Sequence, residues 1–168
     1  ILSEKGHSTN VGDEGGFAPT LSSNQHAMDL IVTSIEKAGY KLGEECSIAL
    51  DLAASEFYAN GIYQLNREGI QLDSSELIFY LESRLKEYPI VSLEDPLAED
   101  DWISWRKITS RLGKKVQIVG DDLFTTNPIR IGKGIKSQAA NAVLIKPNQI
   151  GTLTETLTAI QMARKAGW

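Results

Sequence analysis

Four short apolar runs, each closing on a charged side chain, constrain this chain more than any other feature. They are SIALDLA at 47–53, IVSLED at 90–95, VQIVGDD at 116–122 and NAVLIKP at 141–147. Cores almost continuous in Ile, Val, Leu and Ala are what strands covered on both faces of a parallel sheet require. NVGDEGG at 10–16 is a weaker fifth, with only Val11 apolar before its glycines.

Helical periodicity fills the intervals. Ala27, Ile31, Ile35 and Ala38 recur at helical spacing over 24–38, and Gly39 ends the run. Asp73 and Glu76 form a capping box for a helix carrying Leu77, Leu81 and Leu85 on one stripe. Trp105, Ile108 and Leu112 mark another helix, closed by Gly113, and Asn127-Pro128 opens a further one with proline in the first turn. Thr152 and Glu155 cap a last helix that runs through Ala163. Asn60-Gly61, between the alternating halves of EFYANGIYQL, predicts a hairpin inserted after the first strand. Trp102 and Trp105 belong to helix packing, and Ser55 and Glu56 shape the loop before the hairpin.

Repeated strand–helix units imply right-handed crossovers and a parallel sheet. Both an open doubly wound sheet and a closed eight-stranded barrel satisfy that pattern. A complete barrel takes about 250 residues; the 168 residues here would be most of one, without its closing strands. The chain lacks an initiator Met and stops at RKAGW, just after a glycine cap, so it reads as a segment of a longer protein with no internal domain boundary.

The charges at the strand ends are Asp51, Glu94 with Asp95, Asp121 with Asp122, and Lys146. Separations of 43, 27 and 25 residues between Asp51, Glu94, Asp121 and Lys146 match single strand–helix units, the first enlarged by the hairpin. C-terminal strand ends of parallel α/β folds form one rim, where catalytic groups gather. Three carboxylates converging there repel one another unless a cation neutralises them. An oxygen-only donor set selects Mg²⁺ or Mn²⁺ over Zn²⁺. Any one of these acids could instead be a helix cap, Asp95, Asp100 and Asp122 above all. Lys146, between Ile145 and Pro147, reads as a lysine on a buried strand, costly unless paired or functional. A bound cation would disfavour its ammonium form and suit it to act as a general base; a plain salt bridge to an acid is the alternative. In VGDEGGFAP, glycines around Asp13 and Glu14 give either a simple turn or a loop that presents Glu14 opposite Lys146.

VGDEGGFAP, ALDLAASEFY, YPIVSLEDPLAEDDW, VGDDLFTTN and LIKPNQIGTLTET, in this order, resemble the enolases, the glycolytic phosphopyruvate hydratases, from Asn10 to Trp168. That resemblance implies a partial (β/α)8 TIM-type barrel, residues 1–168 being part of the C-terminal catalytic domain. It implies reversible, Mg²⁺-dependent dehydration of 2-phosphoglycerate to phosphoenolpyruvate. Glu14 matches the proton donor and Lys146 the base. Asp51, Glu94 and Asp121 match the metal ligands, with Glu94, Asp121 and Lys146 also facing the substrate. An N-terminal domain, most of a dimer interface, a second Mg²⁺ site and further catalytic groups would lie outside these residues, so the segment by itself is expected to have little or no activity. The full-length protein is expected to be a homo-oligomer.

The bulk properties agree. A net charge of −5 argues against nucleic acid as the main partner. No apolar run spans a membrane. The single cysteine, Cys46, excludes an internal disulfide and fits a reducing compartment, the cytoplasm. His7 and His26 carry no assigned role. Two other classes fit less well. A receiver-type phosphoacceptor domain also has an acid pair and a Lys-Pro, but with the acid pair on its first strand. A non-catalytic scaffold fragment leaves no mark in the sequence.

Overall fold

The computed structural model describes all 168 residues, and its elements begin and end where capping residues stand. Helix α1 (Asn24–Lys37) starts where the Ser23 hydroxyl accepts the His26 N–H, and the chain leaves it through Gly39 at φ 87°. Strand β1 (Ile48–Asp51) is followed by a short 3-10 turn and then by the hairpin of β2 (Tyr58–Ala59) and β3 (Ile62–Leu65). Its turn residues, Asn60 at φ 52° and Gly61 at φ 86°, take the left-handed conformation that a tight hairpin needs. Strand β4 (Ile70–Leu72), which no sequence signal announced, completes a small sheet of order β2-β3-β4. Helix α2 (Ser74–Glu87) opens on a reciprocal capping box. The Asp73 carboxylate accepts the Glu76 N–H at 2.8 Å, and the Glu76 carboxylate accepts the Asp73 N–H at 2.8 Å.

Beyond it come β5 (Ile90–Glu94), α3 (Trp102–Leu112), β6 (Gln117–Gly120), α4 (Pro128–Ser137), β7 (Ala142–Val143), the short α5 (Pro147–Ile150) and α6 (Leu153–Lys165). Strands β1, β5, β6 and β7 form a sheet in that order, every pair parallel. Spatial order thus follows sequence order, with α2, α3 and α4 as crossovers. This is the arrangement of consecutive strands in a βα barrel, here four strands of one. No helix is long and apolar enough to cross a membrane.

The chain forms two compact units, Ile1–Ser47 with Leu65–Ile70, and Ile48–Gln64 with Gln71–Trp168. In the first, Arg67 donates to the Leu21 carbonyl, and the Glu68 carboxylate accepts the Asn24 N–H at 2.7 Å. The second holds the parallel sheet and its core. Trp105, Ile108 and Leu112 of α3, Leu93 of β5, Ile118 of β6 and Ile131 of α4 are fully buried. The Trp105 indole also donates to the Ala98 carbonyl at 3.0 Å. Phe124 lies against two glycines: a Cβ on Gly120 would come within 2.5 Å of its ring, and one on Gly134 would collide with it too. Only glycine at both positions lets the ring close the sheet against α4.

Three expectations need correction. Residues 10–16 do not form a strand of the sheet; they make a tight turn closed by a single bridge between Val11 and Phe17. Lone Val11 had too little apolar surface to join a buried ladder. The run 141–147 is strand only at Ala142–Val143, and Lys146 lies past its end, as the N-cap of α5. Pro147 cannot donate to a ladder, and it serves instead in the first turn of a helix. The strands are also not all covered on both faces: Leu93 and Ile118 of the central strands are buried, whereas Ala49 and Asp51 are exposed, because β1 lies at the edge of the sheet.

Candidate metal and catalytic site

Parallel register brings the acids together. Asp51 and Glu94 are direct partners across β1 and β5, and Glu94 is in turn the partner of Val119 on β6. Side chains two residues apart on a strand share a face, so Asp121, two beyond Val119, continues on the face of Asp51 and Glu94. Backbone bonding extends past the strand ends and stitches the rim. Leu52 N–H donates to the Glu94 carbonyl, Asp95 N–H to Val119, and Leu144 N–H to Gly120, at 3.0–3.1 Å. Ser55 accepts the Glu99 N–H at 3.0 Å, and Arg130 bonds the carbonyls of Leu123 and Glu99 at 2.6 and 2.8 Å. The Ser55 contact ties the turn after β1 to the segment that follows β5.

Strain is concentrated on the same rim. Ala53, Asp95, Thr125 and Thr126 all have positive φ, at 44°, 39°, 47° and 56°. For a β-branched residue such as threonine this conformation is unfavourable and persists only where surrounding contacts over-determine it.

The charges respond to their crowding. Burial, then the neighbouring charges of Asp51, Asp121 and Asp95, push Glu94 up to about 7, with Lys146 opposing. The Lys146 ammonium forms an ion pair with Asp121 Oδ2, and Gln149 Nε2 donates to Asp121 Oδ1 at 3.2 Å. Lys146 is 39% exposed and Asp121 only 9%, so the amine is at the surface of the site and the acid beneath it. The expected juxtaposition of Asp51, Glu94, Asp121 and Lys146 on one edge is therefore present in the second unit. Glu14 is carried by the first unit. There it sits exposed on a turn in which Gly12 N–H donates to Gly16 O and Gly15 N–H to Gly12 O, at 2.9 and 3.0 Å.

Asp95 escaped the sequence reading except as a possible helix cap. It is 4% exposed, and its two oxygens accept the N–H groups of Asp121 at 3.0 Å and Asp122 at 2.7 Å. It braces the turn that presents Asp121. Burial pushes its carboxyl up to about 6, although the N–H groups of Asp122 and Asp121 pull the other way. Asp95, Asp121 and Asp122 also form the tightest acid group, with ligand atoms within 4.8 Å of one another. Both oxygens of Asp95 are already bonded to backbone, which makes it a brace more than a ligand. Asp51 and Glu94 stand outside that tight group. Thr126 and Gln149 were missed as well. Their only sequence signal was their place beside the strand-end charges.

The donor set fits a hard divalent cation: carboxylate oxygens only, on adjacent strand ends, crowded enough to hold a proton on Glu94 near neutrality. A testable consequence has a definite sign. Glu94 binds its proton more tightly in the folded chain than the ordinary 4.5, so its contribution to stability is full below about 4.5 and is lost as pH rises through about 7. A cation competes with that same proton. Mn²⁺ affinity is therefore expected to fall about tenfold from pH 8 to pH 6, measured by titration calorimetry. The E94Q variant should lose this pH dependence together with most of the affinity.

Parallel strands in sequential order, helices on the crossovers and an acidic C-terminal rim with an amine define an α/β barrel domain with a candidate metal centre. The chain belongs to the enolase family, within its C-terminal barrel domain. A family model described as "Enolase, C-terminal TIM barrel domain" matches residues 1–168. Enolase 1 of Methanospirillum hungatei is 58% identical over 168 residues, which is all of this chain and 39% of that protein. The chain spans about two-fifths of the length of that curated relative.

Proposed function

We propose that this chain supplies the Mg²⁺-dependent half of a phosphopyruvate hydratase, interconverting 2-phosphoglycerate and phosphoenolpyruvate. The observation that carries this is the shared edge of Asp51, Glu94, Asp121 and Lys146, with Glu94 raised to about 7 by burial and by its acidic neighbours. Asp51, Glu94 and Asp121 would hold the ion, which when bound would offset the negative charge that develops on the substrate carboxylate.

Lys146, as the free amine, takes the C2 proton, and the electron pair left on carbon becomes the C2–C3 double bond as the C3–O bond breaks. Glu14 gives its proton to the departing hydroxide, which leaves as water. A base and an acid are both needed because a proton alpha to a carboxylate is scarcely acidic and hydroxide is a poor leaving group. Membership of the enolase family and the exposed position of Glu14 on its glycine turn support this pairing. The full-length protein would act as a cytoplasmic homo-oligomer on this small phosphorylated acid, with nucleic acid no part of its function. The segment alone, without the rest of the barrel, would show little turnover.

The test is formation of phosphoenolpyruvate from 2-phosphoglycerate by the full-length protein, followed by ultraviolet absorbance with and without EDTA. Turnover that depends on Mg²⁺ and disappears in D121N supports the assignment. Absence of turnover, or turnover indifferent to EDTA, rejects it.

A further inference from the structure

A closed ring of hydrogen bonds joins the candidate base, one candidate ligand and two residues with no role so far. Lys146 bonds Asp121 Oδ2 through its amine, and its backbone N–H donates to Thr126 Oγ1 at 2.8 Å. The Thr126 hydroxyl donates to Gln149 Oε1 at 3.2 Å, and Gln149 Nε2 returns to Asp121 Oδ1 at 3.2 Å. A hydroxyl has one proton. One of its two lone pairs accepts the Lys146 N–H, and its proton goes to Gln149 Oε1. The nitrogen end then faces Asp121, which as a carboxylate can only accept. The Asp121 carboxylate, with no proton to give, sets that orientation, and the Thr126 hydroxyl is compatible with it.

Other features show that the ring is built into the fold. Thr126 is fully buried and holds φ 56° beside Thr125 at 47°. Gln149 follows Lys146 by three residues across α5, with its N–H on the Lys146 carbonyl at 3.0 Å, so both side chains leave one turn toward Asp121.

We infer that Thr126 and Gln149 are positioning residues that hold the Asp121 carboxylate in one orientation, so that it stays in place when the Lys146 amine lets go of it. This rests on the reading of Asp121 as a cation ligand and Lys146 as the base. To take a substrate proton, the amine must leave Asp121. A carboxylate bonded only to that amine would swing with it, whereas one also held by Gln149 keeps its second oxygen fixed. Loss of such supporting bonds behind a metal ligand costs about 10–100-fold in metal affinity.

Q149L, T126V and T126S, made in the full-length protein, test this by Mn²⁺ titration with electron paramagnetic resonance and by kcat and KM. Gln149 lies at the surface, so Q149L leaves the core intact, and a thermal melt checks each variant. Q149L and T126V are expected to bind Mn²⁺ about 10–100-fold more weakly and to lose kcat more than KM. T126S, which keeps the hydroxyl, should stay within about threefold of the parent. The inference is overturned if Q149L binds Mn²⁺ like the parent, or if T126S is as impaired as T126V. Should D121N abolish Mn²⁺ binding while Q149L and T126V leave it unchanged, only the positioning role falls. Should the parent not bind Mn²⁺ at all, the metal-site reading falls with it.

Discussion

Replacing Lys146 with methionine in the full-length protein is expected to lower turnover about 10²–10⁴-fold, the usual contribution of a positioned general base, without weakening Mg²⁺ binding. The two halves of that result have separate causes. On the proposed reading Lys146 removes the substrate proton as a neutral amine, so its loss should strike the proton-transfer step. Its ammonium is paired with Asp121 Oδ2, where it would compete with a divalent cation for the same carboxylate. K146M removes the competitor, so cation affinity should hold or rise.

A lysine present only to neutralise Asp121 gives the opposite pattern. Turnover would then change by less than about tenfold, and loss of stability would dominate. Exchange of the C2 proton with solvent isolates the step further. K146M should lose that exchange, whereas E14Q should keep it and fail at loss of water. Exchange that survives in K146M would rule out the base assignment.

The second large effect is structural. D95A strands the N–H groups of Asp121 and Asp122, which now donate to the Asp95 carboxylate at 3.0 and 2.7 Å inside a nearly closed environment. Leaving a buried donor unpaired costs about 1–3 kcal/mol, or about 2–4 °C of Tm per kcal/mol in a chain of this size. The effect should depend on pH. With its carboxyl raised to about 6, Asp95 contributes fully to stability below the ordinary 3.8, and that contribution is lost as pH rises through about 6. At pH 5 the alanine removes an acceptor and relieves no buried charge; at pH 8 relief of the charge offsets part of the loss. Urea denaturation in EDTA should therefore show a larger deficit for D95A at pH 5 than at pH 8. Equal deficits at both would mean that Asp95 is not the titrating brace described here.

Much of the local structure was legible because its causes are local. Asn60-Gly61 needed two left-handed residues and has them, and the box of Asp73 and Glu76 closes through both of its hydrogen bonds. Asn127 caps α4 by accepting the Ile129 N–H at 2.8 Å, with Pro128 beside it. Spacing also put Glu94 and Asp121, 27 residues apart, at the ends of neighbouring strands, because a parallel unit repeats strand, crossover and strand at a similar length wherever no hairpin enlarges it. Lys146 was harder. An apolar run ahead of it looked like a strand to its end, yet Pro147 turned the chain into α5 and left the amine half exposed.

What the sequence determined by itself, then, is the alternation of elements, their caps, and which charges stand at the end of each strand, since these depend on side-chain type and spacing along the backbone. Tertiary structure alone decided how those charges divide the work. Asp95 and Asp122 follow strand ends in the sequence just as Glu94 and Asp121 do, but Asp95 turns at φ 39° to hold the loop, and Asp121 is left to meet Lys146 and Gln149. The physical reason is that a carboxylate's role is set by whichever donors reach it. Those donors come from residues 25 to 28 positions away, brought near only when parallel strands lie side by side.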